Sequence, residues 1–134
     1  MEDKVKQVII VRTDLNMRKG KMISQGAHAS MMFITKVMTS PRPTSPGRRL
    51  CQFTVTADVF KWLTDKFTKV VVGVDSEKEL LELHKQATEA GLVSHYVTDE
   101  GLTEFKGIPT ITALAIGPAR SSLINPITGH LKLL

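Results

Sequence analysis

The sequence contains only one cysteine, Cys51, among its 134 residues. A single cysteine excludes an internal disulfide framework and any zinc site built on cysteine ligands. No apolar run approaches the ~18 residues that a membrane-spanning helix needs, and the first residues are charged, unlike the apolar core of a secretory signal. We therefore expect a cytoplasmic protein that does not enter the membrane.

Familiar catalytic and phosphate-binding motifs are also missing. There is no Gly-x-Ser-x-Gly sequence to form a nucleophile elbow, and the glycine spacing of a Walker phosphate loop is absent. His84, His95 and His130 are scattered, with no pair at the spacing of metal ligands on a helix. Neither covalent nucleophilic catalysis nor a metal site is expected.

The composition is that of a small globular protein. Hydrophobic residues make up 42% of the chain and charged residues 23%, which are the proportions of a folded domain. The length predicts a single domain spanning residues 1–134. Eighteen lysines and arginines against 13 acidic residues give a net charge of +5, which favours anionic partners.

Strand and helix signals alternate along the chain. Runs of β-branched and apolar residues predict strands at 8–11, 70–74, 92–97 and 110–116. Amphipathic periodicity and capping residues predict helices at 21–38, 56–67, 76–90 and 119–124. This order indicates an α/β fold, specifically a three-layer α/β/α sandwich around a small, mostly parallel mixed sheet of about four strands.

The first predicted helix has a clear apolar stripe. Its members recur every three or four residues, as on the face that a helix packs against a core; they are Ile23, Ala27, Met31, Ile34 and Met38. Small residues between positions 26 and 30 keep the middle of the helix thin, which permits a close approach to the sheet.

An arginine- and proline-rich segment interrupts this regular order. Residues 39–49 hold three of the six prolines and the arginines Arg42, Arg48 and Arg49. Prolines at this density exclude a helix or a central strand. We expect a long loop at about residues 39–50.

Basic residues surround the start of the first helix. Arg18, Lys19 and Lys21 follow a buried strand, where α/β proteins place ligands and where a helix N-terminus attracts anions. Positive charge is unfavourable at this end of the helix dipole. The cluster therefore either holds phosphate or is an ordinary solvated turn.

Two further sets of polar residues have catalytic or structural explanations. Lys21, Gln25 and His28 share one helix face by spacing, which suits proton transfer, polar recognition or simple exposure to solvent. Asp99 follows the third predicted strand, where a carboxylate orients a water or a lysine, or caps a turn.

Several motifs occur together in one order. They are Val-Arg-Thr-Asp-Leu at 11–15, Lys19-Gly-Lys21, Gln25 with Ala27-His28-Ala29, Asp99-x-Gly-x-Thr103, Ala115-Ile-Gly-Pro118 and Ile-Thr-Gly-His-Leu-Lys-Leu at 127–133. Through residues 5–37 and 69–134 the chain resembles the type 2 peptidyl-tRNA hydrolases, the enzyme type typical of archaea and eukaryotes.

The resemblance implies an α/β sandwich that hydrolyses the ester between a peptide and tRNA, with no metal or organic cofactor. It assigns catalytic roles to Lys21, Asp99, Thr103 and Thr112. As residues that bind peptidyl-tRNA we expect Arg18, Lys19, Gln25, His28, Arg42, Arg48 and Arg49. The family often forms dimers, so a homodimer is among the expectations.

Two other functions stay open at this point. One is a non-catalytic RNA-binding or adaptor module on the same fold, favoured by Leu102 and Glu104, which replace the arginine and glutamine common in the family. The other is an esterase for small activated acyl substrates, which requires an apolar acyl pocket.

Overall fold

The computed structural model of the chain describes residues 3–40, 42–102 and 104–134, which form six strands and four helices. The strands are β1 (Val5–Arg12), β2 (Pro43–Ser45), β3 (Arg48–Arg49), β4 (Lys69–Val74), β5 (Ser94–Asp99) and β6 (Thr110–Arg120). The helices are α1 (Lys19–Thr35), α2 (Ala57–Thr64), α3 (Glu77–Glu89) and α4 (Ser121–Thr128). None of these helices is long and apolar enough to cross a membrane.

Four strands form one mixed sheet in the order β4-β1-β6-β5. β1 is parallel to β4, whereas β6 is antiparallel to both β1 and β5. The predicted α/β fold with a four-stranded mixed sheet is confirmed, but the expectation of a mostly parallel sheet is wrong. The described residues between β5 and β6 form no crossover helix, and parallel neighbours require a long crossover of that kind.

Helices cover both faces of this sheet and give the three predicted layers. On the α1 face the buried core consists of Ile9, Val11, Met17, Ala29, Val97, Ala113 and Ala115. On the other face α3 and α4 enclose Val8, Ile10, Val72, Val74, Leu80, Leu83, Ala87, Leu114, Ile116, Ile124 and Ile127. β1 contributes to both cores, so its sequence is a continuous apolar run without alternation.

The face that α1 turns toward the sheet differs from the predicted one. Ile23 is 71% exposed and Met31 is 56% exposed. The buried positions are instead Gln25, Gly26, Ala29 and Phe33. The prediction of a buried stripe through Ile23 and Met31 is therefore wrong, because the small side chains allow a closer approach to the sheet than the bulky ones.

The exposed stripe of α1 lies beside β4, whose outer edge is hydrogen-bonded to residues 132–134. Together with Val71 of β4 and Leu134, residues Ile23, Met31 and Ile34 line an apolar groove of about 770 Å³. α1 contacts β1, β5 and β6 most extensively, so this face of β4 stays accessible.

The arginine- and proline-rich segment contains a short hairpin instead of the expected irregular loop. β2 pairs antiparallel with β3, separately from the main sheet. Gly47, with a φ of +77°, lies in the turn after Pro46 and adopts a conformation that favours glycine. Reciprocal backbone hydrogen bonds between Thr39 and Gln52 form a separate antiparallel bridge outside these two strands. Arg42, Arg48 and Arg49 are all exposed on this hairpin.

Side-chain caps explain where two of the helices begin. The Ser76 hydroxyl accepts a hydrogen bond from the backbone N–H of Glu79 at 3.0 Å, as its capping sequence predicts. Thr56 accepts from Val59 in the same way at 3.2 Å, so α2 begins at Ala57. α4 extends beyond its predicted end and includes Pro126.

The burial pattern of α1 leads to a stability prediction. Phe33 is 8% exposed and its ring meets Trp62 of α2 edge to face, with centroids 5.8 Å apart. Phe33→Ala should lower the free energy of unfolding by about 3–5 kcal/mol. Ile23→Ala on the exposed stripe should change it by about 0.5 kcal/mol or less. Urea denaturation of both variants measures the contrast, and a larger loss at Ile23 than at Phe33 would contradict this orientation of the helix.

Candidate active site

Polar side chains converge where β5 ends and α1 begins. Lys21 lies in the first turn of α1, and Asp99 is the last residue of β5. Gln25, one turn further along α1, and Thr112 of β6 complete the group. The structure thus joins residues that are more than 70 positions apart in the sequence.

Lys21 and Asp99 form an ion pair at the mouth of this site. The Lys21 Nζ atom donates to the Asp99 Oδ2 atom at 2.8 Å, and the two side chains are 14% and 16% exposed. The same Nζ atom lies 5.7 Å from the ring centroid of Phe105, within the range of a cation–π contact. Limited access of water makes this pair stronger than an exposed surface pair.

Asp99 accepts hydrogen bonds from three directions. Its Oδ1 atom accepts from the backbone N–H of Gly101 at 2.8 Å, and its Oδ2 atom accepts from Gln25 Nε2 at 3.1 Å as well as from Lys21. The bond from Lys21, supported by those from Gly101 and Gln25, outweighs burial and lowers the pKa of Asp99 below its ordinary value. Asp99 therefore caps a turn and binds Lys21 at the same time, and its catalytic role stays a prediction.

Gln25 and Thr112 form a chain of hydrogen bonds that ends at the Asp99 carboxylate. Gln25 is only 2% exposed, and its amide oxygen accepts a hydrogen bond from the fully buried Thr112 hydroxyl. Both ends of the Gln25 amide are therefore bonded inside the protein, and its role in binding peptidyl-tRNA stays a prediction. Within the part of the chain that the structure describes, Thr112 is linked to Asp99 through Gln25.

A bulge in β6 explains how Thr112 faces α1. The register of the β5–β6 ladder shifts between Val97, opposite Ala113, and Thr98, opposite Ile111, so Thr112 is the extra residue. A bulge redirects one side chain without ending the strand. The Thr112 hydroxyl consequently lies on the same face of the sheet as Ala113, where it donates a hydrogen bond to the Gln25 amide oxygen.

The position of the site on α1 is also electrostatically significant. Arg18, Lys19 and Lys21 lie at the positive end of the helix dipole, and the first turn contains no acidic residue. Arg18 occupies the N-cap position without making a side-chain capping bond. Asp99, supplied by β5, is the anion that compensates this end of the helix.

The remaining predicted site residues fall into separate groups. His28 is exposed and lines, with Lys21, Asp99 and Leu102, a cavity of about 330 Å³. Arg18 and Lys19 are exposed at the start of α1, outside the hydrogen-bonded group. Thr103 lies outside the described residues.

Sequence reasoning missed two contributors to the site. Gly101 has a φ of +82°, and a Cβ atom there would collide with the backbone of Ile108, so only glycine fits this turn. The Asp-x-Gly spacing is the signal that could have identified its N–H as a partner of Asp99. No comparable sequence motif predicts that Phe105 contacts the Lys21 ammonium.

The arrangement offers a fixed cation beside a carboxylate that stays ionised at neutral pH. Such a cation can stabilise negative charge that develops on a carbonyl oxygen, or it can hold a phosphate. Across residues 3–40, 42–102 and 104–134, no three histidine, cysteine or acidic side chains are placed to hold a metal ion. The chemistry available from these residues is that of positioned charges and hydrogen bonds.

Comparison with known proteins gives consistent matches over nearly the whole chain. Residues 5–134 match the family model described as Peptidyl-tRNA hydrolase PTH2. The peptidyl-tRNA hydrolase of Methanocaldococcus jannaschii is 40% identical over 131 residues, which cover 97% of this chain and 100% of the relative. Those of Aeropyrum pernix and Halobacterium salinarum are 41% and 39% identical, covering 96% of this chain and 94% and 99% of their own lengths.

The ion pair leads to a prediction about stability and pH. In a double-mutant cycle, Lys21→Met and Asp99→Asn should show a coupling of about 1–3 kcal/mol in the free energy of unfolding at pH 7. Folding lowers the pKa of Asp99. The stabilisation from the Asp99 carboxylate is therefore fully present at pH values above ~3.9, the pKa of an aspartate in the unfolded chain. That stability is lost as the pH falls from there through the lower folded pKa.

Urea denaturation between pH 7 and pH 2 measures this dependence. Glu100→Gln is the matched control, because the exposed Glu100 carboxylate accepts no hydrogen bond from the part of the chain that the structure describes. A coupling near zero, or a stability difference between wild type and Asp99→Asn that persists at the lowest pH, would count against the pair.

Proposed function

The chain belongs to the peptidyl-tRNA hydrolase PTH2 family, and from this we infer that it hydrolyses the ester between the peptide and the tRNA of peptidyl-tRNA. The non-catalytic RNA-binding module is not favoured. Besides the family match, the observation that carries the proposal is the Lys21–Asp99 pair at 2.8 Å, which opens onto a cavity at the end of β5.

We assign Lys21 to the transition state of ester hydrolysis. Water attacks the ester carbonyl and negative charge develops on the carbonyl oxygen, where a fixed ammonium lowers the barrier. As the acyl C–O bond then breaks, a proton of the water passes to the departing 3′ oxygen of the tRNA, so that the peptide leaves as its carboxylate or carboxylic acid. Asp99 and the ring of Phe105 hold the Lys21 Nζ atom in place before the substrate arrives. The ammonium therefore requires little reorganisation during the reaction.

Asp99 is assigned to orientation, with no role as a strong base. Its lowered pKa makes it a weak proton acceptor at neutral pH, since general bases act best when their pKa is near the working pH. A carboxylate has about four acceptor sites, and among the residues that the structure describes Lys21, Gln25 and Gly101 use three of them. The remaining site suits the attacking water.

Gln25 and Thr112 are positioning residues in this scheme. Thr112 donates to the Gln25 amide oxygen, which turns the amide N–H toward Asp99. The family resemblance assigns Thr103 a catalytic role, and that role stays a prediction.

The tRNA is proposed to bind through exposed basic residues. Arg18 and Lys19 lie at the N-terminus of α1, next to Lys21, where the helix dipole also favours phosphate. His28 lines the same cavity as the ion pair. The arginines of the hairpin add a second exposed basic surface.

Three broader assignments accompany this proposal. A cytoplasmic location follows from the substrate, which is a product of translation. A single functional domain is supported by the one main sheet, to which residues between 5 and 120 contribute. A homodimer, which the family resemblance implies, stays a prediction.

The catalytic assignment is tested by substitutions in the pair. Lys21→Ala and Asp99→Asn should each lower kcat for release of peptide from an N-blocked aminoacyl-tRNA by about 10²–10⁴-fold. Lys19→Ala is the matched control, because Lys19 lies two positions from Lys21 and is proposed to bind tRNA. This variant should raise KM and leave kcat within a few-fold of the wild-type value. Activity of Lys21→Ala close to that of wild type would remove Lys21 from the mechanism. Wild-type protein that binds tRNA but releases no peptide would refute the hydrolase itself.

The tRNA-binding role of the hairpin is tested by the salt dependence of affinity. Replacing Arg42, Arg48 and Arg49 together by glutamine should flatten the slope of log K against log salt by about 1–2 units, at ~0.7–0.9 per phosphate contact. Arg120→Gln is the control, because that guanidinium is already paired with Asp58 at 2.9 Å. An unchanged slope in the triple variant would show that the hairpin does not contact tRNA.

A further inference from the structure

Among the described residues β5 pairs with β6 alone, so it is an edge strand of the sheet. The Gly117 N–H donates to the Val93 carbonyl at 2.7 Å, so the backbone N–H and C=O groups of Val93 point toward β6. In an antiparallel ladder the hydrogen-bonding groups of successive residues alternate in direction. The backbone N–H and C=O groups of Ser94 and Tyr96 therefore point outward, away from β6.

A groove of about 800 Å³ runs along this outer edge. One wall comes from α1 and includes Met31 and Thr35, while the other includes His84 of α3. The His84 ring packs edge to face against Tyr96, with centroids 5.1 Å apart. Because the walls come from opposite faces of the sheet, the edge of β5 lies between them.

The groove leads directly to the active site. His28, Val97 and Thr98 line both the groove and the smaller cavity that contains Lys21 and Asp99. β5 itself ends at Asp99. A molecule that follows the strand from Ser94 therefore arrives at the reacting groups.

We propose that the peptide part of the substrate binds as an added strand along the outer edge of β5, parallel to it, with its ester-linked C-terminal residue at the Lys21–Asp99 end. This inference rests on the proposed function. An added strand is held by main-chain hydrogen bonds, so its affinity depends little on its side chains. A hydrolase that releases prematurely ended peptides meets unrelated sequences, and main-chain recognition suits that need.

The direction of the peptide follows from where its ester must be. The C-terminal residue of the peptide carries the bond to tRNA, and Lys21 and Asp99 lie at the C-terminal end of β5. Only a peptide that runs in the same direction as β5 places its ester there. Parallel addition to a sheet edge also occurs between ordinary neighbouring strands.

The charge of the groove favours a peptide over an RNA backbone. Burial lowers the pKa values of His84 and His95, which favours their neutral imidazole forms at pH 7. Lys36 is then the only lysine or arginine among the described residues that line the groove. Binding of a phosphate backbone depends on several such cations.

The length of β5 sets how much peptide is recognised. Six residues at ~3.3 Å each extend about 20 Å, which corresponds to about five or six residues of substrate. With N-acetyl-oligoalanine of one to six residues esterified to the same tRNA, KM should fall by about 10–100-fold as the peptide grows and then level off. kcat should change much less, because the ester lies in the same place in each substrate.

Backbone N-methylation provides the more specific test on the wild-type enzyme. In an added strand every second peptide N–H faces the edge. Methylating one N–H at a time along the six-residue peptide should raise KM by about 10-fold at alternate positions and by less than about 2-fold between them. Uniform effects, or a KM that does not depend on length, would overturn the proposal.

A pair of variants at one position tests the protein side. Tyr96→Pro removes an outward N–H without removing a bond to β6, and proline is tolerated at such edge positions. It should abolish most of the fall in KM with peptide length, whereas Tyr96→Ala, which keeps the N–H, should retain it. Circular dichroism and thermal unfolding establish that both variants fold; if Tyr96→Pro does not, the N-methylation series decides alone.

The outcomes separate this inference from the function on which it rests. Absence of hydrolysis for every peptidyl-tRNA refutes the hydrolase. Hydrolysis with a KM that is independent of peptide length refutes only the added strand. If Tyr96→Pro weakens the binding of deacylated tRNA as strongly as that of the six-residue substrate, the groove holds RNA and the peptide proposal fails.

Discussion

The close approach of α1 to the sheet is the constraint on which the rest of the molecule depends. Gly26 and Ala29 are buried at this contact, and a Cβ at position 26 would lie 3.5 Å from Ile9. Because these side chains are small, Gln25 can reach Thr112 and Asp99 directly. A bulkier contact face would hold the helix further out and break that chain of hydrogen bonds.

The same approach places the candidate active site between a helix and the sheet. Lys21 belongs to the helix and Asp99 to the sheet, so their contact exists only in the folded chain. Three donors hold the carboxylate, and one of them is the backbone N–H of Gly101. The charges are therefore fixed before any substrate binds, which is the condition under which electrostatic stabilisation is most effective.

Much of the fold and part of the site are readable from the sequence, for identifiable reasons. The run at 8–11 and the Ser76 cap are local signals, and local signals predict local structure. Periodicity could not show which face of α1 is buried, because Gln25 becomes a core residue only once Thr112 and Asp99 bond to its amide. The direction of β6 and its bulge at Thr112 depend on pairing between distant segments. Motif order predicted Lys21 and Asp99 as site residues, but only the fold shows that they form an ion pair and that Gln25 bonds to it.

The pairing of β1 with β6 also has a consequence for how the chain reaches its folded state. The ladder joins Val5 to Arg120 and Val11 to Ala113. β1 can therefore pair with β6 only after the roughly 100-residue loop between them has closed. β5 and β6, by contrast, are separated only by residues 100–109 and can associate early as a local unit. Closing long loops costs chain entropy before the contacts repay it, and folding rates fall as the average contact becomes less local. We therefore expect β1 to dock late. Until it docks, the apolar side chains on both of its faces are exposed to other incompletely folded chains.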